Sequence, residues 1–229
     1  MIAVRPSRRG AYSPSVKSDE PLTPWPEPDD ERWARLHDVD THRGDDEYRN
    51  LLGSLRVLQD RVAGGTPSPE LAGRLSAQLR AAGDALLAVQ AEEAERWDGW
   101  HPELPGRGLP VLPPYVVDGQ DGAALHGRVS FSRYYLGGNN TAHGGTQPLL
   151  FDDVFGRIAN HGCAGVARTA YLHVNHRSVT PLDVELRFYA ARERMEGRKR
   201  WVTGRIERPD GTIACDAEAL FLQLLPGQQ

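Results

Sequence analysis

The sequence predicts an α+β fold in which an antiparallel sheet wraps one central helix, and three observations carry that expectation. Apolar residues recur with a helical period up to about residue 98 and with a period of two beyond about residue 115. One helical stretch, about 147–161, interrupts the strand-like runs. Short turn sequences then join the runs that follow it, as antiparallel neighbours require.

Taken in order, residues 1–28 hold six of the seventeen prolines among serines and charges. Such a segment buries too little apolar surface to offset its ordering entropy, so a disordered tail is expected. Residues 29–98 are expected to form a helical hairpin extension. Tyr48, Leu51, Leu52, Leu55, Leu58 and Val62 share one stripe, and Gly64-Gly65-Thr66-Pro67-Ser68-Pro69 ends that helix. Ser68 caps a second helix whose stripe is Leu71, Leu75, Leu79, Ala82, Leu86 and Val89. These stripes are expected to pack on each other or on the main domain; the alternative is a dimerisation or partner-binding arm.

Residues 99–229 form the expected main domain. The Pro- and Gly-rich stretch Trp97–Pro114 reads as a linker wrapping a surface. Strands are expected near 115–118, 123–132 and 166–177. Leu182, Val184, Leu186, Phe188 and Ala190 alternate with polar residues as a half-buried strand, and Arg208-Pro209-Asp210-Gly211 turns the chain between strands 198–207 and 212–225.

Composition excludes several classes. A formal charge of -4 gives no global attraction to nucleic acid or an anionic membrane. Cys163 and Cys215 make neither a disulfide framework nor a zinc-ligand spacing, and no run reaches membrane-span length, so a cytoplasmic location is expected. His173 and His176 point to opposite faces of a strand and make a poor metal pair. No Walker, dinucleotide or G-x-S-x-G sequence is present, and Cys163 reads as a buried structural cysteine.

The chemistry-bearing stretch is His143-Gly144-Gly145 followed by Asp152-Asp153. Two glycines at a helix start offer N–H groups without intrahelical partners, which favour an anionic oxygen. A carboxylate two turns along could act as base or nucleophile, the combination that acyl transfer needs. One residue is about 100° of helix rotation, so the two acids differ. Asp153 shares a polar side with Arg157 and is expected to be solvated. Asp152 shares its side with Leu149, Gly156, Ala159 and Cys163, and is expected to be partly desolvated and therefore the reactive acid.

His143-Gly144-Gly145 with Asp152 nine positions after the histidine resembles the HGG(x)6D pattern of hotdog-fold acyl-CoA thioesterases of the PaaI-like group. Pro113-Pro114, the strand Gly127-Arg128-Val129-Ser130-Phe131 and the turn at Arg208 are similar to that group too. The resemblance covers about residues 108–225 and implies a hotdog fold that hydrolyses an acyl-CoA thioester. It implies Asp152 as general base or nucleophile, the Gly144 N–H as oxyanion donor, and His143 as a positioner of the thioester. Thr169 falls where some members carry a Ser or Thr that orients water from the neighbouring subunit. The site lies between subunits in this family, so a homodimer, or a dimer of dimers, is implied. Gly145 joins the substrate-binding loop. Gly137 stands where some members carry Asn, with Asn139 and Asn140 close enough to substitute. Arg198 and Lys199 are candidates for CoA phosphates; the alternative is a solvated strand end. No metal and no cofactor beyond the substrate's own coenzyme A is expected, nor a nucleic-acid or membrane partner. The competing class is a non-catalytic hotdog module that binds an acyl-thioester or a partner protein.

Overall fold

A computed structural model describes residues 45–92, 95–99 and 101–228. The tail expected at 1–28 lies outside the described residues. The described residues include three α-helices: α1 (Asp45–Gly64), α2 (Pro69–Leu87) and α3 (Thr146–Asn160). Eight strands follow the same chain: β1 (Val116–Asp121), β2 (Ala124–Val129), β3 (Leu136–Gly138), β4 (Thr141–Ala142), β5 (Ala167–His176), β6 (Leu186–Glu196), β7 (Lys199–Glu207) and β8 (Ile213–Gln223).

Six strands form one antiparallel sheet in the order β1-β2-β6-β7-β8-β5, which leaves β1 and β5 as its edges. The apolar face of α3, Leu150, Phe151, Val154, Phe155 and Ile158, is buried against the inner face of this sheet. Phe131, Leu186, Phe188, Val202, Ile206 and Phe221 complete the core. The helix comes close enough to β7 that a Cβ at Gly204 would stand 2.6 Å from the Phe155 ring. The expected wrap of an antiparallel sheet around one helix is therefore observed.

Two elements differ from expectation. The strand expected from Leu182 begins instead at Leu186 and runs on to Glu196. Asp183 has a φ of 56°, a left-handed conformation that no strand accommodates, so the alternating run turns before it pairs. The small hairpin β3–β4 was not expected. It closes through Asn139 and Asn140, whose φ values of 48° and 58° make the tight two-residue turn for which Asn is suited.

The end of α3 is held by Arg200, which is 0% exposed. Its guanidinium donates to the carbonyls of Ala159, Ala164 and Gly165 and to Asn160 Oδ1, where the helix end leaves acceptors unmatched. Cys163, expected to be buried, is half-exposed in the turn after α3, and Arg192 donates to its Sγ at 2.8 Å. Cys215 is the buried cysteine, and burial pushes its thiol up to about 12.

The helices α1 and α2 behave differently from each other. α1 is anchored: Leu52 is buried, Arg56 donates to the carbonyls of Leu109 and Leu112, and Asp60 accepts from the Tyr134 N–H. No residue of α2 is buried. Among the described residues the expectation that both stripes pack within the chain holds in part for α1, where Leu52 is buried but Leu51 and Val62 stay exposed, and no residue of the α2 stripe is buried. The stretch 97–114 wraps the domain as expected, burying His101, Leu104 and Leu112.

Candidate active site

The glycine loop sits at the start of α3, with Gly145 as its N-cap. Its orientation is set from behind by Gln147, which is 1% exposed. In the amide orientation that satisfies both ends, Gln147 donates to His143 O (3.0 Å) and Gly144 O (3.1 Å) and accepts from Thr180 Oγ1 (2.9 Å). Thr146 adds two bonds to the His143 carbonyl, from its N–H at 3.0 Å and its hydroxyl at 2.7 Å. In a trans peptide C=O and N–H point in opposite directions. Holding His143 O inward therefore turns the Gly144 N–H outward, and that N–H makes no hydrogen bond among the described residues. Gly145 uses its own N–H internally, donating to His143 Nδ1 at 3.0 Å. A neutral His143 ring accepting there carries its proton on Nε2, free to donate outward.

Asp152 lies on the α3 flank that faces the edge strand β5, and Thr169 of β5 donates to its Oδ1 at 2.8 Å. Thr169 thus reaches Asp152 of its own chain. A bulge between Thr169 and Tyr171 shifts the strand's phase, so that Leu172, Val174 and His176 continue the same inner side. At the far end of that strip the His176 ring stands over Gly144, its Nε2 3.6 Å from where a Cβ would be. The sequence reading did not single out Gln147, and it weighed His176 only as half of a poor metal pair with His173. A polar residue directly after the helix start, and a histidine in phase with Val174, were the available signals.

The two acids exchange the environments expected of them. Asp153, expected to be solvated beside Arg157, is the covered one, its side chain 12% exposed. It accepts from the Arg107 guanidinium and from the Tyr115 hydroxyl (2.5 Å). Burial, then the Asp153 charge, pushes the Tyr115 hydroxyl well above its ordinary value. Asp152, expected to be partly desolvated, is exposed in the single chain. The reason is tertiary: stretch 97–115 covers one flank of α3, while the other flank ends at the sheet edge.

The remaining candidates separate. Gly137 is required by packing, because a Cβ there would lie 2.7 Å from His143 Cα. Asn139 and Asn140 form the hairpin turn, and neither bonds His143 or Asp152 among the described residues. The basic cluster divides by strand alternation: Arg200 turns into the core and Lys199 lies along Trp201. Arg198 lines an open cleft of about 410 Å³ together with Arg168 and Thr169. Arg198 is partly committed there, donating to Gln223 O at 2.8 Å, whereas Arg168 was not singled out from the sequence. Among the described residues no three His, Cys, Asp or Glu side chains cluster as metal ligands. No helix among them is long and apolar enough to cross a membrane.

No protein-family model and no curated relative matches this chain. Solved structures do. A crystal structure of a thioesterase superfamily protein is 25% identical, covering 77% of this chain and 90% of that one, with a TM-score of 0.66. The chain has the hotdog thioesterase fold. Since 77% exceeds the share of residues 99–229, the likeness extends N-terminal of residue 99. Two further solved structures match about half of this chain. A hypothetical thioesterase with coenzyme A from Streptococcus pneumoniae TIGR4 is 20% identical over 50% of this chain and 90% of that one, TM-score 0.44. The E. coli PaaI protein from the phenylacetic acid degradation operon is 13% identical over 48% and 80%, TM-score 0.46.

Proposed function

We propose that this hotdog protein hydrolyses an acyl-CoA thioester to the free acid and coenzyme A. The observation that carries the reading is the pairing of an outward Gly144 N–H, locked by Gln147 and Thr146, with the Asp152–Thr169 pair beside the same edge strand. The N–H receives the oxyanion that develops when the thioester carbonyl is attacked. His143 Nε2–H helps to hold that carbonyl. Asp152 takes a proton from the attacking water, or itself attacks; Thr169 fixes the carboxylate's direction. In the first route water's oxygen bonds to the carbonyl carbon, the C–S bond breaks, and the thiolate leaves to be protonated.

Geometry supports reading this as a two-chain site. Gly144 and Asp152 are separated by about two turns of α3, roughly 10–12 Å at the helical rise of 1.5 Å per residue. One carbonyl group cannot stand within about 3 Å of both. Gly144 of one copy and Asp152 of another serve the same thioester. The long exposed edge β5, with open main-chain groups, is the surface on which two copies pair. In the dimer the exposed Asp152 becomes covered. Arg168 and Arg198, in the cleft beside Thr169, meet the CoA phosphates.

The test is release of free thiol by the purified protein from aliphatic and aromatic acyl-CoAs of graded length. Turnover is expected, and the best chain names the acyl class. A folded protein that hydrolyses none of them is a binding module instead. Within an active enzyme, Gln147→Leu frees the His143–Gly144 peptide to rotate. It is expected to lower kcat about tenfold with KM little changed, because an oxyanion donor acts only on the transition state. An unchanged kcat removes Gln147 from the site's support.

A further inference from the structure

We propose that His176 is a further catalytic residue, which gives the departing sulfur of the thioester its proton. The inference rests on the thioesterase reading of the glycine loop, and it names the proton donor for the thiolate that this reaction releases.

His176 is the last residue of β5, and its main chain pairs with Cys215 of β8. The bulge after Thr169 sets it on the inner side of the strand with Leu172 and Val174, which pack against the core. Its neighbours Asn175 and Arg177 point the other way, and both donate to Asp216. The His176 ring itself is exposed and makes no hydrogen bond among the described residues. Nothing in the folding of the chain calls for an imidazole there.

What the ring does meet is the glycine loop. Outside its chain neighbours, a Cβ built on Gly144 would have two heavy atoms within 4 Å, His176 Nε2 at 3.6 Å and Cε1 at 3.7 Å. The Nε2 edge of the imidazole therefore stands over the residue whose N–H points outward. A carbonyl oxygen that accepts from this N–H brings its carbon, and the sulfur bonded to that carbon, within the ring's reach. Both groups belong to one chain, so their placement does not depend on how copies pair.

The Gly144 N–H and His143 Nε2 serve the oxygen, which leaves the sulfur without a donor. Water's oxygen bonds to the carbonyl carbon and Asp152 takes the water's proton. As the C–S bond breaks, its electron pair goes to sulfur, and the proton on His176 Nε2 transfers to that sulfur to give the free thiol. The neutral imidazole regains a proton from solvent before the next turnover. Histidine suits the task because its proton is exchanged near neutral pH, and a positioned donor contributes about 10²- to 10⁴-fold.

The test compares two thioesters of one acyl group, the coenzyme A ester and the p-nitrothiophenyl ester, whose acidic thiol leaves without a proton. His176→Gln keeps a polar side chain that cannot transfer one, and His176→Asn repeats the comparison independently. Each is expected to lower kcat on the acyl-CoA by about 10²-fold and on the aryl ester by less than about threefold. Turnover of the aryl ester shows at once that the variant is folded. An equal loss on both esters in both variants assigns the ring to the loop's support or to the oxygen and overturns the inference, as does a loss on neither. In those cases a wild type that hydrolyses the acyl-CoA leaves the proposed function standing. A folded wild type that hydrolyses neither ester removes both.

Discussion

Asp152→Asn is expected to lower thiol release by about 10²- to 10⁴-fold, the range for removing a positioned base, with stability nearly unchanged. The side chain is exposed in one chain, and its one hydrogen bond among the described residues, from Thr169, is of a kind that asparagine also accepts. Substitutions at such positions usually stay within about 0.5 kcal/mol. A sharper form of the result uses two inactive proteins. Gly144→Val places a branched side chain against His176 in front of the oxyanion donor. Mixed with Asp152→Asn under conditions that exchange subunits, it is expected to restore activity. Each mixed dimer carries one site with an intact Gly144 from one copy and an intact Asp152 from the other. Restoration fails if both groups act within a single chain, and full activity in Asp152→Asn alone would falsify the role of that carboxylate.

Asp153→Ala is expected to do the opposite: it destabilises the fold by roughly 2–3 kcal/mol and leaves turnover per folded molecule close to wild type. Asp153 accepts from Arg107 on the wrapping stretch and from Tyr115 just before β1, tying both to the helix. Removing it strands the buried Tyr115 hydroxyl and a guanidinium that remains 30% exposed, so the cost stays below that of a fully buried pair. The midpoint of urea unfolding measures the loss. Asp153→Asn, which keeps an acceptor for Tyr115, is expected to lie between Ala and wild type. An unshifted midpoint in Asp153→Ala would show that the ion pair adds nothing.

The contrast between these two acids shows where reading residues one after another reaches its limit. Helical periodicity correctly separates them onto different flanks of α3, because rotation per residue is a property of the helix itself. Which flank is covered depends on where residues 97–115 travel, and the periodicity of α3 carries no information about that path. The composition of Leu149, Gly156, Ala159 and Cys163 suggested cover on the side of Asp152, yet in one chain that flank looks past β5 into solvent. The basic run at 197–200 teaches the same lesson on a smaller scale. Charge drew the residues together, whereas strand alternation sends Arg200 inward to the end of α3 and Lys199 to the other face, and Arg198, in the turn before β7, stays at the cleft.

By itself the sequence determined the kinds of elements and their order: two helices, two strands, one helix under a strand succession, and a glycine loop at that helix's start. These are local quantities, written in the 3.6 and 2.0 periodicities, in Ser68 and Pro69 at a helix start, and in the Arg208-Pro209-Asp210-Gly211 turn, where Gly211 adopts a φ of 81°. Tertiary structure alone decided that β5 is an edge, that Gln147 turns the Gly144 N–H outward, that Asp153 is an anchor, and that no residue of α2 is buried among the described residues. Each of these depends on which distant segment arrives beside a given face, and that is settled by the packing of the whole chain around α3.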